Sequence, residues 1–108
     1  MRTVRWALLS TSVNHLLGTP VEIVGSTGQA MGRYRGLVHR GPDGSIIIAV
    51  NLNLASTVDE IIAVLAHEVA HIVLNSPDHS REHRATARRI AKTLREEYDE
   101  GVRRAHNS

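Results

Sequence analysis

His67, Glu68 and His71 stand in the order His-Glu-Val-Ala-His, an H-E-x-x-H spacing inside an otherwise apolar run. On a helix, residues four apart sit one turn above each other on the same face, so the two imidazoles can reach a single metal ion. Glu68 falls on the adjoining flank, placed to take a proton from a metal-activated water and later deliver it to a leaving amine. Two neutral nitrogens and a carboxylate suit Zn²⁺, which favours tetrahedral N/O ligation and leaves a position open for water. The pattern points to zinc-dependent hydrolysis of a peptide bond in a protein or peptide substrate, with Glu68 as general base.

Such a centre needs a third protein ligand, and three residues compete for it. His79, Glu82 and His83 all follow the turn after the motif. His79 comes eight residues past His71, from the loop end or first turn of the next helix, and ranks first. His83 shares a helical phase with Ala87, Ile90 and Leu94 and should point inward. Glu82 shares its phase with Ala85, Thr86 and Arg89, a more polar face.

The elements that must position these residues are legible from periodicity. Val4, Leu8, Leu9, Val13, Leu16 and Leu17 recur at helical spacing, predicting a helix over 4–17 that Gly18-Thr19-Pro20 stops. Three strand candidates follow: Val21 to Val24, Tyr34 to His39, and Ile46 to Leu54, separated by Gly-rich turns. Their succession predicts an antiparallel meander. The strand from Ile46 precedes the metal helix and is the expected edge against which an extended substrate would pair. Thr57 with Glu60 three residues on forms a capping box, predicting a helix from Val58 to Leu74. Within it Val58, Ile61, Leu65, Val69 and Ile72 make a stripe that should face the sheet. Val64 and Leu74 flank the histidines on the other side, so a further element must cover them. A last helix is expected from Ser80 to about Glu100, stopped by Gly101, with Arg103 to Ser108 a frayed tail.

The 108 residues fit one domain, 1–108, of α+β class. There is no cysteine, which excludes disulfides and thiolate metal sites and leaves ligation to seven His and the carboxylates. Aromatics are limited to Trp6, Tyr34 and Tyr98, so Val, Ile, Leu and Ala must fill the core. The short apolar run Trp6 to Val13, preceded by Met1-Arg2-Thr3-Val4-Arg5, reads as part of the first helix of the mature protein rather than an export signal. No stretch is long enough to span a membrane, and the cytoplasm is the expected location.

The stretch from Ile46 to Leu94 is similar to small bacterial and phage zincin metallopeptidases: Ile46-Ile47-Ile48-Ala49-Val50-Asn51, a polar spacer, then Ala63 through Leu74 around the motif. Two groups share features with it. In SprT-like minimal zincins a third His stands in a short His-Gly or His-Ser signature, matched by His79-Ser80, although His83 replaces the aromatic that usually follows. In ImmA/IrrE-type gluzincins the third ligand is a Glu in an E-x-x-A pattern, matched by Glu82-His83-Arg84-Ala85 at a shorter spacing from His71. Both resemblances imply a helix, a small three-stranded sheet, the metal helix and a final helix.

Two other classes compete with a peptidase. Arg81, Arg84, Arg88, Arg89, Lys92 and Arg95 crowd the last helix, and Arg33, Arg35 and Arg40 could extend the patch. Such a face is ordinarily solvated, and as a functional feature it would give weak phosphate contact in a DNA-associated zinc protein. No aromatic platform for base stacking accompanies it. A non-catalytic zinc-binding interaction domain is the third class, but a structural site has no use for Glu68.

Overall fold

Three helices and three strands follow one another in the computed structural model, which describes residues 3–107: α1 (Trp6–Leu17), β1 (Val21–Ser26), β2 (Gly36–Arg40), β3 (Ile46–Asn51), α2 (Val58–Leu74) and α3 (Arg81–Asn107). The architecture is α+β, in the expected order. α1 starts at Trp6, two residues later than the expected start at Val4, with Arg5 at its N-cap; Met1, Arg2 and Ser108 lie outside the described residues.

Helix α1 ends where Gly18 takes a left-handed φ of 65° and donates its N–H to the Asn14 carbonyl, a conformation that costs glycine nothing. The Asn14 side chain then accepts the N–H of Val21 at 2.7 Å, fixing the start of β1 against the end of α1.

The sheet departs from the predicted meander. Its order is β1-β3-β2, with β1 parallel to β3 and β2 antiparallel to β3. The β2–β3 hairpin forms as expected across Gly41-Pro42-Asp43-Gly44, where Gly44 has φ 85° and Asp43 accepts the N–H of Ser45. The adjacency of β1 and β2 does not form. Residues 27–35, taken from sequence as a turn with the start of a strand, instead make a long connection. Asn51, fully buried, holds it by donating from Nδ2 to the carbonyls of Gly32 and Tyr34. That length lets β2 cross to the far side of β3. The centre goes to β3, whose edges both pair with a neighbouring strand and whose run Ile46 to Val50 is apolar on both faces. β3 is therefore not an edge, contrary to expectation; β1 and β2 are the edges. β3 also stops at Asn51, and residues 52–54 form a turn.

Helix α2 occupies the predicted residues. Thr57 Oγ1 accepts the Glu60 N–H at 3.1 Å, and Glu60 Oε1 accepts the Thr57 N–H at 3.2 Å, closing the capping box. Asn75, left-handed at φ 49°, caps the other end. Ile61, Leu65 and Val69 are fully buried in the main core with Ile48 and Val50 of β3. α1 lies on β1, α2 lies on β2 and β3, and α3 packs across α2 and α1.

Helix α3 runs past its predicted stop. Ser80 Oγ accepts the His83 N–H and starts it, but Gly101 does not end it. A Cβ on Gly101 would stand 2.7 Å from Leu8 Cδ2, so this glycine lets α3 approach α1. Residues 103–107, expected to fray, are helical. The buried Tyr98 accepts the Arg5 N–H through its hydroxyl, a second tie between the two helices. Among the described residues no helix is long and apolar enough to cross a membrane.

Candidate functional site

His67 and His71 project from α2 one turn apart, and the turn between α2 and α3 folds back to bring His79 to them. The three Nε2 atoms form a near-equilateral triangle: 3.2 Å from His67 to His71, 3.2 Å from His71 to His79 and 3.3 Å from His79 to His67. All three aim a ring nitrogen at one point, an arrangement that could hold a metal ion. His67 and His71 are half-buried and His79 is exposed, so the cluster opens to solvent on the His79 side.

The backbone around the turn supports this geometry. The Ser76 carbonyl lies 2.8 Å from His71 Nδ1. A carbonyl can only accept, so Nδ1 carries a proton, and in the neutral ring the lone pair is left on Nε2. Arg84 donates to the His79 carbonyl at 3.2 Å and holds that residue from the first turn of α3.

Of the three candidates for a third ligand, the structure gathers only His79 with the motif. His83 is buried and points inward, as its helical phase predicts. Its Nε2, however, faces the His67 main-chain carbonyl at 3.0 Å. Its ring lies against that of His71, centroids 4.1 Å apart and planes 29° from parallel. It forms the floor of the cluster. Glu82 is exposed on α3 and makes no hydrogen bond with the cluster among the described residues.

Glu68 is half-buried on the flank of α2 that faces β2. Burial holds its carboxyl above the usual carboxylate range, against an opposing pull from the positive charge His71, His83 and His79 can carry. Burial, reinforced by those same three rings, holds His67 below the usual histidine range, in the direction that favours the neutral ring a metal needs. Gly36 on β2 makes room for Glu68: a Cβ there would meet Val64 Cγ1 at 2.7 Å and Glu68 Cγ at 3.1 Å. Sequence reasoning missed Gly36, although an isolated glycine inside a strand-like run signals close approach. It also missed the Ser76 carbonyl, since no residue type marks which main-chain oxygen will orient a ring.

Two clefts meet at Glu68. One of about 530 Å³ runs over Tyr34, Gly36, Ala63, Val64 and His67. The other, about 460 Å³, runs over Val38, His71, Ile72, Ser76 and Pro77. Together they make a groove between α2 and the edge strand β2. Arg81, Arg84, Arg88 and Arg89, named from sequence as a nucleic-acid face, are all exposed on α3. Arg84 is drawn to the His79 carbonyl, and Arg89 to the Thr86 hydroxyl at 3.2 Å.

A family model described as Peptidase family M48 matches residues 24–97, from within β1 to the second half of α3, and so takes in the whole motif, β2, β3 and the histidine cluster. The match supports the broader resemblance to zincin-type metallopeptidases and carries neither of the two narrower groups. No curated protein and no solved structure matches the chain.

Proposed function

The chain belongs to peptidase family M48, and from that premise we propose that it is a zinc-dependent metallopeptidase in which His67, His71 and His79 hold the metal and Glu68 is the general base. The observation that carries this reading is the Nε2 triangle. In a tetrahedral zinc site with Zn–N bonds of about 2.0–2.1 Å, neighbouring ligand atoms lie ~3.3–3.4 Å apart. The observed separations of 3.2 and 3.3 Å fit that spacing. Three neutral nitrogens on one side, with solvent on the other, match a catalytic rather than a closed structural centre.

When bound, zinc supplies a Lewis acid that polarises the substrate carbonyl and acidifies a water. The rest of the chemistry falls to this chain. Glu68 accepts a proton from the attacking water and passes it to the leaving amine. Its raised affinity for protons suits both halves of that exchange, because a base works best with a pKa near the working pH. The Ser76 carbonyl keeps His71 in the ligating tautomer. His83 braces His67 through its main-chain carbonyl and His71 by packing against its ring.

The substrate strand finds its place at β2, not β3. β2 is the edge next to Glu68, and an unpaired edge can add an extended peptide by main-chain hydrogen bonds. Val38 and Gly36 turn toward α2 and the groove, so the peptide would run past Glu68 with side chains in both clefts.

Elemental analysis tests the metal half of the proposal. The purified chain should carry about one equivalent of zinc, and the double variant His67→Ala/His71→Ala none. Full retention of zinc in that variant would sink the assignment.

A further inference from the structure

The groove beside Glu68 is bordered at both ends by arginines that the fold leaves unused. Arg33 and Arg35 line the cleft on the His67 side, and Arg40 lines the cleft on the His71 side. All three are exposed, and among the described residues none of their guanidinium groups makes a hydrogen bond or an ion pair. Other cations of this protein do find partners, as Arg95 does with Asp59 at 2.7 Å.

The position of these arginines is fixed even though their side chains are free. Asn51 donates to the carbonyls of Gly32 and Tyr34 at 3.1 and 2.9 Å, and its own N–H is accepted by the Arg35 carbonyl at 2.8 Å. The segment Arg33-Tyr34-Arg35 is thus pinned by a fully buried side chain immediately before Gly36, where β2 passes Glu68. Tyr34 stands 62% exposed between the two arginines, a flat apolar surface over which a substrate backbone can lie. Arg40 sits four residues along β2 from Gly36, a distance of ~13 Å in an extended strand.

The negative charge facing the groove does not cancel this. Glu60 lines the cleft with Arg33 and Arg35 and keeps its charge, its carboxylate tied back to the Thr57 hydroxyl and N–H, but one carboxylate against two guanidinium groups leaves that end net positive. Glu68 sits at the centre, where it disfavours an acidic side chain beside the scissile bond and leaves the two ends positive.

We infer that the groove selects acidic substrates: extended peptides carrying Asp or Glu on both sides of an uncharged pair at the bond to be cut, read by Arg33 and Arg35 at one end and Arg40 at the other. This rests on the peptidase reading for the location of the bond, but the charge preference belongs to the groove itself. Charge complementarity of this kind steers encounter and fixes register, and added salt weakens it.

The test is peptide binding to the zinc-loaded Glu68→Gln chain, which binds without cutting, followed by fluorescence anisotropy. The probes are three labelled peptides of one uncharged sequence, with Glu, Gln or Lys at the flanking positions. The Glu peptide should bind about tenfold tighter than the Gln peptide at low ionic strength, and the Lys peptide weakest. The variant Arg33→Glu/Arg35→Glu, which changes only exposed side chains, should reverse the order of the Glu and Lys peptides. Arg40→Glu alone should halve the advantage or more. Equal binding of the Glu and Gln peptides, or an unchanged order in the double variant, overturns the inference. So does a single-stranded oligonucleotide displacing the Glu peptide as well as unlabelled Glu peptide does, since the arginines would then be reading phosphate. The two readings fail separately. If the parent chain cuts Glu and Gln peptides equally well, the preference falls and the peptidase stands. If it binds Glu peptides selectively and cuts none, the preference stands and the peptidase falls.

Discussion

His83 donates its Nε2 proton to the main-chain carbonyl of His67 across 3.0 Å, from a side chain only 2% exposed. The bond ties α3 to α2 directly behind the first histidine of the motif, and the same ring packs on His71. His83 therefore supports the cluster without contributing a nitrogen to it. His83→Ala should weaken zinc about 10–100-fold, the usual effect of losing an outer support of a metal centre. It should also lower folding stability by about 1–3 kcal/mol. His79→Ala should weaken zinc more than this, and Glu82→Ala should leave it unchanged. Competition against a chelator measures all three. A His83→Ala chain that loses zinc more completely than His79→Ala would make His83 a ligand and His79 a bystander.

Gly101 lies inside α3, where alanine or valine would ordinarily be the better helix former. Here a side chain runs into Leu8 of α1. Gly101→Val should cost about 1–3 kcal/mol by overpacking. In a Leu8→Ala background most of that cost should disappear, because the two positions share one contact. Chemical denaturation of the four chains of this cycle measures the coupling. An equal cost in both backgrounds would mean that Leu8 is not what excludes a side chain at this position.

The capping box makes α2 sensitive to acid. The Thr57 hydroxyl and N–H hold the Glu60 carboxyl below the usual carboxylate range. A carboxylate with a folded-state pKa depressed in this way stabilises the fold above its unfolded pKa, and the contribution is lost as pH falls through the folded value. The stability difference between the parent and Glu60→Gln should therefore be present at neutral pH. It should close on going below the ordinary glutamate pKa of ~4.3. Denaturant midpoints of both chains across that range give the comparison. A difference that does not change with pH would assign the effect to the hydrogen bonds alone.

What the sequence made legible were the features set by local rules. α2 begins and ends at the predicted residues because a capping box and a left-handed Asn75 are both encoded within a few positions. His83 turns inward because helical phase puts it in line with Ile90 and Leu94. The sheet order was not legible. Strand pairing depends on where the connection 27–35 can go, and that is decided by Asn51, a residue distant in sequence whose side chain spans the link. The parallel β1–β3 pair and the edge position of β2 follow from it, and with them the location of the groove. Gly101 misled for a related reason. A glycine after a long helical run reads as a stop, but its meaning here lies in Leu8, more than ninety positions away in the chain. Asn51 and Gly101 both act through tertiary partners, which periodicity does not reveal.

The account rests most heavily on Glu68 as the residue that moves the proton. Glu68→Gln keeps the shape of the side chain and its place beside Gly36, but it cannot take a proton at neutral pH. The measurement is the rate of peptide-bond cleavage by parent and variant, at matched zinc content, on a protein substrate captured by the variant itself. The variant should retain the fold and the zinc and cleave about 10²–10⁴-fold more slowly. A zinc-loaded Glu68→Gln chain that cleaves that substrate as fast as the parent would contradict the central claim.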